Sequence, residues 1–248
     1  MKKGFWIILC MFFIPPVTFA GNMKLHYDRP AEYFEEALVI GNGTMGATLY
    51  GGVKKDKISF NDITLWTGEP ESENSSPDAF NTIPEIRALL DNEDYQGADK
   101  AQYKVQGHYS ENYQPLGTLT IEYLDDTAGI SDYHRWLDIG NATARMQYLK
   151  DGELFTSDYF ASAPDSVIVI CLKSENKEGI HALLSFDSPL PHSSQVADNE
   201  ISVEGYAAYH SFPVYYKAED KHRYDPERGI HFKTLVRVLS VDGRVKNR

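Results

Sequence analysis

Cysteine is almost absent from this chain. Only two occur in 248 residues, and Cys10 lies in an apolar N-terminal run, which leaves Cys171 as the sole thiol of the remainder. One thiol excludes an intrachain disulfide and a thiolate metal cluster, and a chain of this length can build a core without either. The eight histidines are scattered, none in His-Glu-x-x-His spacing, so no metal or other cofactor is expected. A Gly-x-Ser-x-Gly elbow and a phosphate-binding Lys-Ser/Thr loop are also missing, which removes support for serine-nucleophile and P-loop chemistry. Basic charge is scarce: 24 Lys+Arg stand against 36 Asp+Glu, a net charge of −12. That balance argues against nucleic acid and anionic membrane surfaces, both of which need clustered cations. No apolar run reaches the about 20 residues of a membrane-spanning helix, so no membrane insertion is expected.

What is present begins with "MKKGFWIILCMFFIPPVTFA". Two lysines, an apolar stretch from Phe5 to Ile14 and small residues before a cleavage point at Ala20 make residues 1–20 a signal peptide, and imply export to the periplasm or beyond. Removing the two leader lysines leaves 22 basic against 36 acidic residues, a charge of −14 on residues 21–248. Sixteen tyrosines supply many amphipathic contact surfaces, as exported glycan-handling proteins often do.

"IGNGTMG" contains Gly41-x-Gly43-x-x-Gly46, the spacing of a dinucleotide-binding turn, with Asp62 near the offset of a ribose-binding acid. That site needs a strand before the glycines and a helix after them. Here "RPAEYFEEALV" upstream has loose helical spacing, and "GATLYGGVKKDKISF" downstream is Gly-rich and β-leaning, so the nucleotide reading fails and the glycines serve a backbone need. "NTIPEIRALL" predicts a helix with Thr82 and Glu85 in capping-box spacing, and "DYQGADKAQYKV" a second, interrupted at Gly97. From "GTLTIEYL" onward the chain is a series of strand-like segments. In "TARMQYLKDGELFTSDYFA", apolar residues alternate on both sides of Asp151-Gly152, a favoured type I′ pair. The pattern predicts a mainly β fold, a large antiparallel β-sandwich with a short helical insert. The strand Phe232–Val241 and a turn at Asp242-Gly243 lead into only "RVKNR", which reads either as a fold left incomplete at the C-terminal end or as a short basic edge strand.

Carboxylates are plentiful, and glycoside cleavage needs two, but sequence cannot pair groups that meet only in the fold. No catalytic residue is assigned. "NDITLWTGEP" gathers amide, carboxylate, hydroxyl and indole in one turn, the mixture that binds a sugar through its hydroxyls and its apolar face. Asn61, Asp62 and Trp66 are therefore candidate substrate-binding residues. The competing reading makes Trp66 a core residue beside a turn-stabilising Asn or Asp. In "NYQPLGTLTIEY", Tyr113 and Gln114 are weaker candidates.

Taken in order, "YDRPAEYFEEALVIGNGTMGATLYGG", "ISFNDITLWTGEP", "IPEIRALL", "NYQPLGTLTIEY", "YHRWLDIGNATARMQY" and "FASAPDSVIVICL" resemble the N-terminal domain of glycoside hydrolase family 95, over about Leu25 to Val241. The resemblance implies a supersandwich over 21–248 in which Gly41, Gly43 and Gly46 form a structural loop. Val39, Thr44-Met45 and Asn61-Asp62-Ile63 depart from the residues frequent there. It also implies an α-L-fucosidase or α-L-galactosidase that inverts configuration, with a Glu acid and an Asp base in an (α/α)6 barrel that follows the sandwich. The implied partners are a fucosylated oligosaccharide and such a barrel supplied by the rest of the reading frame. Three readings stay open: the N-terminal part of such an enzyme, a free-standing secreted glycan-binding module without catalysis, or a nonfunctional remnant.

Overall fold

The computed structural model describes residues 23–70, 78–107, 109–239 and 243–246. The expected signal peptide, the centre of the polar loop at 71–77 and the Asp242 half of the last turn lie outside the described residues. The chain runs through β1 (Lys24–Tyr27), a 3-10 turn at Phe34–Glu36, β2 (Leu38–Gly41), β3 (Met45–Leu49) and β4 (Lys55–Asp62). Helices α1 (Ala79–Asp91) and α2 (Tyr95–Gln102) follow, then β5 (Gly117–Tyr123), β6 (Ile130–Asp138), β7 (Thr143–Lys150), β8 (Glu153–Ser162), β9 (Val167–Ser174) and β10 (Ala182–Asp187). The remaining strands are β11 (His192–Ala197), β12 (Glu200–Tyr206), the short β13 (His210–Ser211) and β14 (His222–Arg223), and β15 (His231–Arg237).

Two five-stranded antiparallel sheets, β1-β6-β7-β8-β9 and β10-β5-β4-β3-β2, form the sandwich, and a three-stranded sheet β11-β12-β15 adjoins it. Their inner faces share one core, to which β7 contributes Ala144, Met146 and Tyr148, β4 Ile58, β5 Leu119 and Ile121, and β12 Val203. Alternation places these residues on one face of each strand, and each large apolar side chain so buried contributes about 1.5–3 kcal/mol. The β7–β8 hairpin turns at Asp151 (φ 52°) and Gly152 (φ 86°), both in the left-handed region a type I′ turn requires. Mainly β, antiparallel and with a short helical insert, the fold matches the sequence pattern.

Three local expectations are corrected. The segment before the glycines is not a helix: after one 3-10 turn it becomes β2, with Leu38 and Ile40 buried and Val39 outward. Helix α1 begins at Ala79, ahead of the expected capping box; Thr82 lies buried within it and donates its hydroxyl to the Asp78 carbonyl at 3.0 Å. Gly97 does not interrupt α2, because its N–H is the donor that the Asp94 side chain caps at 2.9 Å.

Among the described residues, two side chains of the Asp, Glu, Lys and Arg types, Arg135 and Asp56, are fully buried. Arg135 is 1% exposed and donates to the carbonyls of Arg29 and Glu36, each at 2.8 Å, with its guanidinium carbon 4.2 Å from the centre of the Tyr27 ring. Asp56, on β4, accepts the Gly51 and Gly52 N–H groups at 2.7 and 3.0 Å and the Tyr159 hydroxyl of β8 at 2.7 Å. The last bond joins one sheet to the other through the core. Burial outweighs these donors and pushes the Asp56 carboxyl up to about 6.

Candidate functional site

At the end of β4 the chain turns away from the sheet, and a satellite core of Leu65, Leu190 and Ala207 anchors the turn. Leu65 and Thr67 point inward, so Trp66 between them points out and is 45% exposed. Asp62 shapes the turn: its Oδ1 accepts the Thr64 N–H at 2.8 Å and the Thr64 hydroxyl at 2.5 Å. The Trp66 indole donates to the Ile63 carbonyl at 3.1 Å, which fixes the ring. Across from it lies Tyr113, joined to Trp66 by a β-bridge, with ring centres 6.0 Å apart at 80°. Partial burial, and secondarily the Asp62 charge, holds the Tyr113 phenol above its ordinary value.

Asp62, Trp66 and Tyr113 thus share one surface. Asn61 does not join them, since it pairs with Gly46 one residue earlier on β4 and alternation turns it to the opposite sheet face. Gln114 is buried, its side chain donating to the Tyr113 carbonyl at 3.3 Å. Trp66 is not a core residue, whereas Asp62 does stabilise a turn. The glycines lie in the β2–β3 hairpin, Gly41 opposite Gly46 and Gly43 at φ 95° between them. Asn42 closes that loop, accepting the Thr44 and Met45 N–H groups at 3.1 and 2.8 Å and donating to the Ser162 carbonyl at 2.9 Å.

Sequence reasoning missed the residue that organises this end of the sandwich, Glu111. One of its oxygens accepts the Thr67 hydroxyl and the Ser211 N–H, and the other meets His210 Nδ1 at 2.7 Å. Asn112 extends the network, its side-chain amide donating to the Ser211 carbonyl and hydroxyl oxygens at 3.1 and 2.9 Å. Arg228 pairs with Glu69 and lies 3.6 Å over the Tyr209 ring, which ties the 207–230 segment to the Trp66 turn. No local motif announces Glu111, because its partners stand 44 and 100 positions away. Asp62 and Glu111 each accept hydrogen bonds from neighbouring protein groups, which fixes the turn and the segment around it. Among the described residues no group of three or more His, Cys, Asp or Glu could hold a metal, and no helix is long and apolar enough to cross a membrane.

The architecture and this surface can be set beside known proteins. The family model described as glycosyl hydrolase family 65, N-terminal domain, matches residues 25–248. The chain belongs to that family. Alpha-L-fucosidase 2 of Arabidopsis thaliana is 30% identical over 228 residues, covering 89% of this chain and 27% of the relative. Probable alpha-fucosidase A of Aspergillus niger is 27% identical over 179 residues, 68% of this chain and 22% of the relative. The protein of the same name from Aspergillus oryzae is 28% identical over 145 residues, 56% of this chain and 20% of the relative. The chain therefore spans about a quarter of the length of these curated relatives. The sequence blocks resemble family 95, whereas the matching model is that of family 65; what the match supports is a related N-terminal sandwich domain of a glycosidase, not family 95 specifically.

Proposed function

We propose that this chain is the N-terminal sandwich of an exported glycosidase of the family 95 type, which hydrolyses terminal α-L-fucosides or α-L-galactosides with inversion. The observation that supports it most directly is the 30% identity to alpha-L-fucosidase 2 across 228 residues. In this reading the acid and base reside in a barrel outside the present residues, and the sandwich braces that barrel. Trp66, Tyr113 and Asp62 offer the glycan a ring face, a phenol and a carboxylate. The half-exposed Trp66 and Tyr113 also favour a second reading, a secreted glycan-binding module without catalysis.

The test is the intact mass of the native product, captured by an antibody to the sandwich from periplasmic and secreted fractions, with the released sugar followed by NMR. A product several hundred residues longer than this chain that releases β-L-fucose first from an α-L-fucoside supports the proposal. A stable product no larger than 28.1 kDa with no turnover overturns it and leaves the binding module. Release of the α-anomer first would overturn inversion alone.

A further inference from the structure

Beyond the Trp66–Tyr113 pair, the 24 residues between β12 and β15 carry a second group of rings. Phe212 and Tyr216 stack with centres 4.7 Å apart at 14°, and His210 meets Phe212 edge-on at 4.4 Å. Tyr109, from the irregular segment before β5, leans on Tyr216 at 5.4 Å and 60° and on Tyr215 at 6.3 Å and 76°. The Arg223 guanidinium lies 5.5 Å from the centre of Phe212. Tyr215 is 76% exposed and Tyr109 45%, so the stack underneath supports rings that meet solvent.

We infer that Tyr109, Tyr215 and Tyr216 form a second sugar-contact subsite for a neutral oligosaccharide, beside the Trp66–Tyr113 pair. Three observations favour a glycan over an apolar protein surface. Each exposed ring ends in a hydroxyl, and the rings stand at 60° and 76° to one another rather than as a flat patch. A pyranose offers matching chemistry, an apolar C–H face and a rim of hydroxyls. The support is also fixed before any ligand arrives. Glu111 holds His210 and the Ser211 N–H, Phe212 N–H bonds the Lys221 carbonyl at 2.9 Å, and Tyr216 N–H bonds the Pro213 carbonyl at 2.9 Å. Preorganisation of this kind lowers the ordering cost of binding. The net charge of −12 disfavours an anionic glycan.

Tyr109 and Tyr113 are four residues apart on one segment, so their backbones are separated by at most about 14 Å. The two aromatic groups are therefore close enough along the chain for one oligosaccharide to reach both. This inference rests on the proposal that the Trp66 surface meets glycans, and binding separates the two. Titrate the chain with fucosyllactose, a neutral trisaccharide ending in α-L-fucose, and with free L-fucose, using calorimetry or ligand-observed NMR. Tyr215→Ala and Tyr109→Phe change exposed groups and should keep the fold, checked by circular dichroism. The expected result is trisaccharide affinity about tenfold weaker in Tyr215→Ala, with free fucose unaffected. If Trp66→Ala abolishes trisaccharide binding while Tyr215→Ala and Tyr109→Phe bind as the parent does, the second subsite is wrong and the Trp66 reading stands. If the parent chain binds neither sugar at millimolar concentration, both are wrong.

Discussion

Asp56 makes the folding stability of this domain depend on pH in a direction opposite to most carboxylates. Its carboxyl is pushed from 3.8 to about 6 by burial, against the pull of Tyr159, Gly52 and Gly51. A folded-state value above the unfolded one means that folding takes up a proton. The associated stability is fully present below about pH 4 and is lost as pH rises through about 6. The rise corresponds to about 3 kcal/mol, a large share of the 5–15 kcal/mol typical of a domain. Other groups slope the other way: Glu36, Glu69, Asp126 and Asp138 are held below their ordinary values by hydrogen-bond donors, and their contributions vanish at acid pH. The informative quantity is therefore a difference. In Asp56→Asn the amide oxygen can still accept the two glycine N–H groups and the amide nitrogen can donate to the Tyr159 oxygen, without a charge to titrate. Urea unfolding of both proteins from pH 4.5 to 7.5 should show the variant gaining on the parent by about 2 kcal/mol as pH rises. Parallel curves would refute the reasoning, because they would mean that Asp56 titrates alike in the folded and unfolded chains.

Tyr159→Phe removes the donor on the other Asp56 oxygen. It should cost about 1–3 kcal/mol at pH 7 and less at pH 4.5, where the carboxyl is neutral, in the same urea titration. Gly43→Ala places a side chain in open space but at φ 95°. The cost should be about 1 kcal/mol of backbone strain alone, seen as a melting temperature lower by about 2–4 °C. Glu111→Ala strips the acceptor from Thr67, Ser211 and His210 and should destabilise by about 3 kcal/mol in denaturant unfolding. A change below 0.5 kcal/mol would remove Glu111 from its place as the organiser of this end.

The β7–β8 hairpin was legible because its information is local: alternating apolar residues and an Asp-Gly pair that tolerates positive φ. Boundaries were less so. The stretch before β2 satisfies helical and strand spacing at once, and pairing with β3 decided for the strand. Strand β11, "HSSQVA", is exposed along its whole length and offered no apolar alternation to read; it exists because β12 pairs with it. At the candidate site, the chemistry of "NDITLWTG" could be read but not its directions. Leu65 and Thr67 turn inward over the satellite core, and that alone sends Trp66 outward. The Glu111 network joins residues about 100 positions apart, and no motif records such a contact.

The helical insert has a different consequence. Helices α1 and α2 pack chiefly on each other and on the turn at Tyr103–Val105, and bury only Thr82, Ala98 and Ala101, while Phe80 is 85% exposed. Segments with so little apolar burial open at a fraction of the global unfolding free energy. Amide exchange and limited proteolysis should therefore find residues 79–105 opening as a unit of their own while the two large sheets stay closed. Sequence change can accumulate in such a unit with little effect on the sandwich that bears it.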